Sequence, residues 1–168
     1  SEAASVRSNA PLAPAPSPIG YFEGVVVDRG RDGYMSLGVM SRRAHLDKLV
    51  GWGEGTIGYH GDDGNIFVGN GMGRAFGPLY GAGDTIGCGI DWINGKVFFT
   101  KNGSLVGSVP HKFQDDELVF AAIGLRTPGE TFRVNFGKQP FKFGIDQFVS
   151  DCRQCALSKY LPPMINLD

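Results

Sequence analysis

His60, Asp62 and Asp63 stand almost side by side in the segment GYHGDDG at 58–64. An imidazole beside carboxylates is the raw material of a general base or of a cation site. The spacing favours neither. An EF-hand calcium loop needs a glutamate at its twelfth position, and none is there; a turn in which Asp side chains accept backbone N–H bonds is the simpler reading. A lone His in a polar loop is read as a turn or recognition residue, and no G-x-S-x-G elbow supplies it with a nucleophile. Gly53, Gly55 and Gly58 have the G-x-G-x-x-G spacing, but a dinucleotide site needs a helix directly after it, and YHGDDG does not open one. Cys152 and Cys155 form one C-x-x-C without the second ligand pair that structural zinc requires. They are read as two thiols on a tail helix, one facing inward, and Cys88 as a core residue. No catalytic residue, metal or cofactor is therefore expected.

The elements around these residues are short and turn-coded. YFEGVVV and YMSLGVM flank the turn RGRDG and read as a hairpin. SRRAHLDKLVGW at 41–52 reads as a loop or a single turn of helix. Asn94-Gly95 and Asn102-Gly103 separate apolar runs, the pattern of two-residue type I′ turns, and so predict a three-stranded meander. LVFAAIGL is a near-continuous apolar run, typical of a central strand covered on both faces. TFRVNF alternates, so Phe132, Val134 and Phe136 are expected to face the core together. Trp52 and Trp92 are read as core fillers. The Pro-rich segment APLAPAPSP is extended chain over the surface. Ile145, Phe148, Val149 and Cys152 recur at helical spacing, and Pro162-Pro163 ends that helix. Roughly ten short strands with regular turns predict an all-β, two-sheet antiparallel sandwich with a short C-terminal helix. Residues 1–18 form an N-terminal edge strand and Pro-rich segment, 19–145 the sandwich core, and 146–168 a helical tail.

Composition limits the function classes. The chain has 168 residues, 26 of them glycine, about double the ordinary share, and many tight turns follow from that. A net charge of −1 gives no electrostatic case for nucleic acid or an anionic membrane. The apolar runs fall short of a membrane-spanning helix. Three cysteines are too few for a disulfide framework and suit a reducing compartment. What remains is surface. Tyr59 and His60, the Asp62–Asn65 turn, the Gly30–Gly33 turn and LRTPG at 125–129 are read as exposed loops on a rigid scaffold, an arrangement suited to capturing a protein or peptide partner.

The motifs SVRSNAP, YFE, GRDGYMSLGV, GYHGDDG, GPLY, GDTIGCGID, FFTKNG, GLRTPGE and VNFGKQPFKF occur in this order. Over residues 3–148 the chain resembles the SPRY domain, specifically that of the Ran-binding protein M family. The resemblance implies a bent β-sandwich without catalysis, binding short extended peptides in a shallow pocket between edge loops. It implies a place in the scaffold of a CTLH (GID-type) ubiquitin ligase, in the cytoplasm and also the nucleus. The alternative is a stand-alone secreted effector that binds host proteins. Carried over motif by motif, the pocket residues are Arg7 and Asn9, then Tyr59, His60 and Phe67, then Leu125, Arg126 and Thr127. Two features depart from the family: Gly24 stands where a β-branched residue is usual, and CRQCALSKYLPPMINLD replaces the LisH and CTLH helical regions.

Overall fold

The computed structural model describes residues 3–12, 18–112, 114 and 117–161. Pro14 and Pro16 of the Pro-rich segment lie outside the described residues, as does the Pro162-Pro163 stop. In chain order the elements are β1 (Ala4–Arg7), β2 (Ile19–Arg29), β3 (Ser36–Ser41), β4 (Thr56–His60), β5 (Asn65–Val68), β6 (Arg74–Ala75), β7 (Thr85–Asp91), β8 (Lys96–Lys101), β9 (Ser104–Pro110), β10 (Val119–Leu125), β11 (Glu130–Asn135) and α1 (Ile145–Ser158). One sheet runs β1-β10-β3-β4-β5-β6 and the other β11-β2-β7-β8-β9. Each pairing is antiparallel. This is the sandwich that the short strands predict.

Strand alternation builds the core. Phe22, Ile86, Cys88, Ile90, Val97 and Phe99 point inward from one sheet. Leu37, Val39, Ile57, Tyr59, Ala121 and Ile123 meet them from the other. The outer faces are covered as well. Behind β10, Phe120 and Ala122 pack with Met40, Ala44 and Val50, so this strand is covered twice, as its apolar run predicts. Behind β2 and β8, Tyr21 and Phe98 receive Ile145, Phe148, Val149 and Cys152 of α1. The rings of Phe98 and Phe148 stand 4.4 Å apart. Residues 41–52 form an irregular loop with no helical turn.

A buried carboxylate fastens the approach to α1. Glu23 accepts hydrogen bonds from the backbone N–H groups of Lys142 and Phe143, each at 3.0 Å. It also accepts the Tyr21 hydroxyl at 3.0 Å. Three donors satisfy a charge that would be costly to bury alone.

Three local expectations are corrected. β2 and β3 do not pair as the expected hairpin: β2 lies between β11 and β7 and β3 between β10 and β4, so the turn after Arg29 carries the chain from one sheet to the other. The Asn102-Gly103 turn has φ of 50° and 86°, as a type I′ turn requires. At Asn94-Gly95 only the glycine is left-handed. There Asp91 accepts the N–H groups of Ile93 and Asn94 at 3.0 Å, so the β7–β8 link is a four-residue loop, Trp92–Gly95, organised by a side chain. On β11 the strict alternation fails: Phe132 is half-buried, but Val134 and Phe136 are 36% and 57% exposed. The strand is at a sheet edge and carries a bulge between Thr131 and Phe132; Phe136, just past its end, still lies on the core ring of Phe22 at 5.9 Å, but no further strand covers its outer side. Gly24, opposite Val134, makes this packing possible, since a Cβ there would press on both Phe132 and Leu37.

Candidate interaction site

The site-forming loops converge at one end of the six-stranded sheet. Gly38 and Gly58 are cross-strand partners on β3 and β4. A Cβ on Gly58 would collide with the backbone of Val50 and Gly51. Glycine there lets the 49–52 segment lie directly on β4, which brings Trp52 over the sheet end. Trp52 is half-buried, and its ring centroid lies 5.9 Å from that of His60 and 6.2 Å from that of Phe67. The expected core role for Trp52 is thus corrected: the 49–52 segment lies on the outer side of β4, so the indole packs on the His60 and Phe67 rings and not between the sheets. Trp92 packs against the core as expected.

Arg126 completes the arrangement. Its guanidinium carbon lies 5.4 Å from the Tyr34 ring centroid and 5.7 Å from that of Trp52. Each such contact contributes about 0.5–1 kcal/mol at an exposed site. Beside it opens a cavity of about 300 Å³ lined by Ala3, Asp47, Lys48, Trp52, Gly71 and Arg126.

The loop carrying Arg126 is fixed by a residue that the sequence reading passed over. Glu130 is buried and accepts hydrogen bonds from Arg126 N at 2.6 Å, Thr127 N at 3.0 Å and Thr127 Oγ1 at 2.5 Å. Thr127 Oγ1 in turn accepts the N–H of Asp32 at 3.4 Å, linking this loop to the β2–β3 turn. The signal was present as T-x-x-E at 127–130. That is capping-box spacing, and the Glu reaches back to the Thr N–H as in a capping box, although no helix follows.

The carried-over residues divide into groups. Arg126 is exposed at the rim, and Leu125 is half-buried beside it. Thr127 is buried and structural. His60 and Phe67, read as surface groups, are 2% and 7% exposed and form a floor of two rings 4.2 Å apart, tilted by 35°. Tyr59 is corrected most strongly. At 0% exposure it is a core residue whose ring packs edge-on against Phe76, Tyr80 and Phe99. Its hydroxyl donates to the Pro78 carbonyl, and burial raises its pKa. The reason is parity: β4 extends to His60, so alternation sends Tyr59 inward. Arg7 and Asn9 are exposed but stand apart from Arg126. Ala4 faces Leu125 and Arg7 faces Ala122, which puts Arg7 about 10 Å along β10 from the rim. There it lies over Phe120 and donates to the Arg42 carbonyl.

Charge around the floor is unevenly compensated. Burial lowers the His60 pKa, against the opposing pull of the Val50 carbonyl and Asp63. Burial, then the neighbouring charge of Asp63, raise the Asp62 pKa, and Arg126 draws it back. His111 is also lowered, by burial first. For both histidines the folded pKa lies below the ordinary value near 6.5, so below that pH the unfolded chain takes up protons that the native state refuses. Stability is full above about pH 6.5 and falls as pH is lowered through it. The Asp62 shift has the opposite sign but acts in the carboxylate range. The melting temperature should accordingly be lower at about pH 5.5 than at about pH 7.5. An equal or higher value at the lower pH would mean that these rings are not held neutral by burial.

The chain's similarities account for this architecture. A family model described as the SPRY domain matches residues 20–139. The chain belongs to the SPRY domain family. It is 43% identical to Ran-binding protein 10 of Danio rerio over 153 residues, covering 90% of this chain and 25% of that protein. It is 42% identical to Homo sapiens Ran-binding protein 9, covering 90% of this chain and 20% of that protein. It is 35% identical to the Arabidopsis thaliana Ran-binding protein M homolog, covering 95% of this chain and 34% of that protein. This SPRY chain therefore spans between a fifth and a third of the length of these relatives. A crystal structure of a human SPRY domain superposes with a TM-score of 0.71 at 32% identity, covering 83% of this chain and 88% of that one.

Proposed function

We propose that this SPRY domain is a non-catalytic protein-interaction module that captures short, extended peptide segments at the Arg126 rim. We place it in a CTLH (GID-type) ubiquitin-ligase scaffold in the cytoplasm, and in the nucleus as well. The observation that carries the reading is a cation held between two rings, over an aromatic floor and beside an open cavity. Aromatic and arginine groups anchored on a rigid frame are the usual hot spots of peptide capture, because little side-chain entropy is lost on binding. Arg126 meets the partner, with Leu125 beside it; Trp52, His60 and Phe67 support it from beneath; Thr127 shapes its loop. Arg7 and Asn9 offer a second contact further along β1, within reach of an extended segment. Three free cysteines, Cys88, Cys152 and Cys155, support a reducing compartment.

Affinity capture from cell lysate followed by mass spectrometry tests this. Arg126→Ala should lose specific partners retained by the unaltered chain, while stability falls by no more than about 1–2 kcal/mol, the loss of its two ring contacts, and the domain stays folded. Undiminished capture by Arg126→Ala would remove the rim from the mechanism.

A further inference from the structure

The junction of β4 and the following turn joins His60, part of the floor beneath Arg126, to two carboxylates that peptide capture does not use. A ring nitrogen of His60 and one carboxylate oxygen from each of Asp62 and Asp63 lie within 4.8 Å of one another. The His60 side chain is almost wholly buried, at 2% exposure. Its Nε2 is 2.8 Å from the Val50 carbonyl oxygen, which can only accept, so Nε2 carries the proton. Nδ1 is then a bare lone pair, and among the described residues no donor reaches it. A neutral imidazole nitrogen with its lone pair free is a common ligand for a metal ion.

The surroundings match what metal sites require outside their ligands. A metal-bound imidazole ordinarily donates its other N–H to a carbonyl or carboxylate, which fixes the tautomer and aims the free nitrogen. Val50 does this here. Ligating carboxylates are themselves held by hydrogen bonds. Asn65 donates its backbone N–H to Asp63 Oδ1 at 2.9 Å and its Nδ2 to Oδ2 at 3.0 Å. Among the described residues neither Asp62 nor Asp63 has an ion-pair partner. Phe67, tilted against the imidazole with centroids 4.2 Å apart, restrains the ring further.

We propose that His60 Nδ1, Asp62 and Asp63 form a site for a divalent cation of the class that accepts mixed nitrogen and oxygen ligands, such as Zn²⁺ or Mn²⁺, with water completing the shell. Calcium is disfavoured because it takes oxygen ligands alone. The ion neutralises two adjacent carboxylates and ties the exposed turn to the end of β4, next to the Arg126 rim.

Calorimetric titration of the chain with ZnCl₂ and with MnCl₂ tests the site. It is done in a Cys155→Ser background so that the exposed thiol does not compete for zinc. One ion per chain should bind, and Asp62→Asn with Asp63→Asn should weaken binding by about tenfold or more. His60→Gln should act alike. Because His60 is buried and its replacement can unfold the domain, the exposed aspartate pair decides. Absence of saturable binding overturns the proposal, and so does unchanged affinity in the double Asn variant.

Discussion

Tyr59→Ala lowers the stability of the domain by about 3–5 kcal/mol, the range for deleting a large buried ring. The side chain is fully enclosed, its centroid lying 5.1–5.8 Å from those of Tyr80, Phe76 and Phe99. Those rings come from β8 and from the chain between β6 and β7. A cavity there would loosen both sheets at once. Tyr59→Phe keeps the volume and loses only the hydroxyl's bond to the Pro78 carbonyl, at about 1 kcal/mol. Denaturant unfolding of the two variants checks this. Similar small losses from both would mean that the ring is not in the core. Tyr59→Ala should weaken partner capture only in step with its lost stability, Arg126→Ala while the domain stays folded.

Glu130→Ala should cost about 2–4 kcal/mol, because three donors near the loop lose their acceptor together and each buried unmet group costs about 1–3 kcal/mol. Part of that is recovered as water reaches the loop, which keeps the sum below the simple total. The signature is local. Hydrogen exchange at the Arg126 and Thr127 amides should accelerate strongly, while amides in β7 and β8 change only with global stability. Glu130→Gln retains one acceptor oxygen and should fall between the two. Unaltered exchange at Arg126 and Thr127 in Glu130→Ala would show that the loop is held by something other than this carboxylate. The prediction bears on the proposed function because that reading needs the Arg126 guanidinium to stay between Tyr34 and Trp52. A loop freed from Glu130 would lose that position at no change in its exposed side chains.

Much of the fold was legible because strand signals are local. Asn102-Gly103 demanded left-handed backbone, and the structure has it at both residues. The apolar run of β10 announced burial on both faces, and loop 41–55 supplies the outer cover. Helical spacing at Ile145, Phe148, Val149 and Cys152 identified the face of α1 that docks on Tyr21 and Phe98. The misreadings arose where a non-local partner decided the outcome. Phe136 alternates correctly in sequence, but its strand lies at an edge and bulges. Tyr59 and His60 sit among glycines and aspartates, yet pairing with Leu37 and Ser36 of β3 carries the strand through both.

The sequence alone determined the class of molecule: alternation and turn chemistry act over a few residues, so short paired strands, a covered central strand and an amphipathic tail helix follow from neighbours along the chain. It also determined that Arg126 stands on a loop. Tertiary structure alone decided what surrounds it. Arg126 meets Tyr34 and Trp52 from distant segments, Glu130 fastens the turn, and His60 is brought against Val50, since burial and register depend on groups that only the closed sandwich brings together.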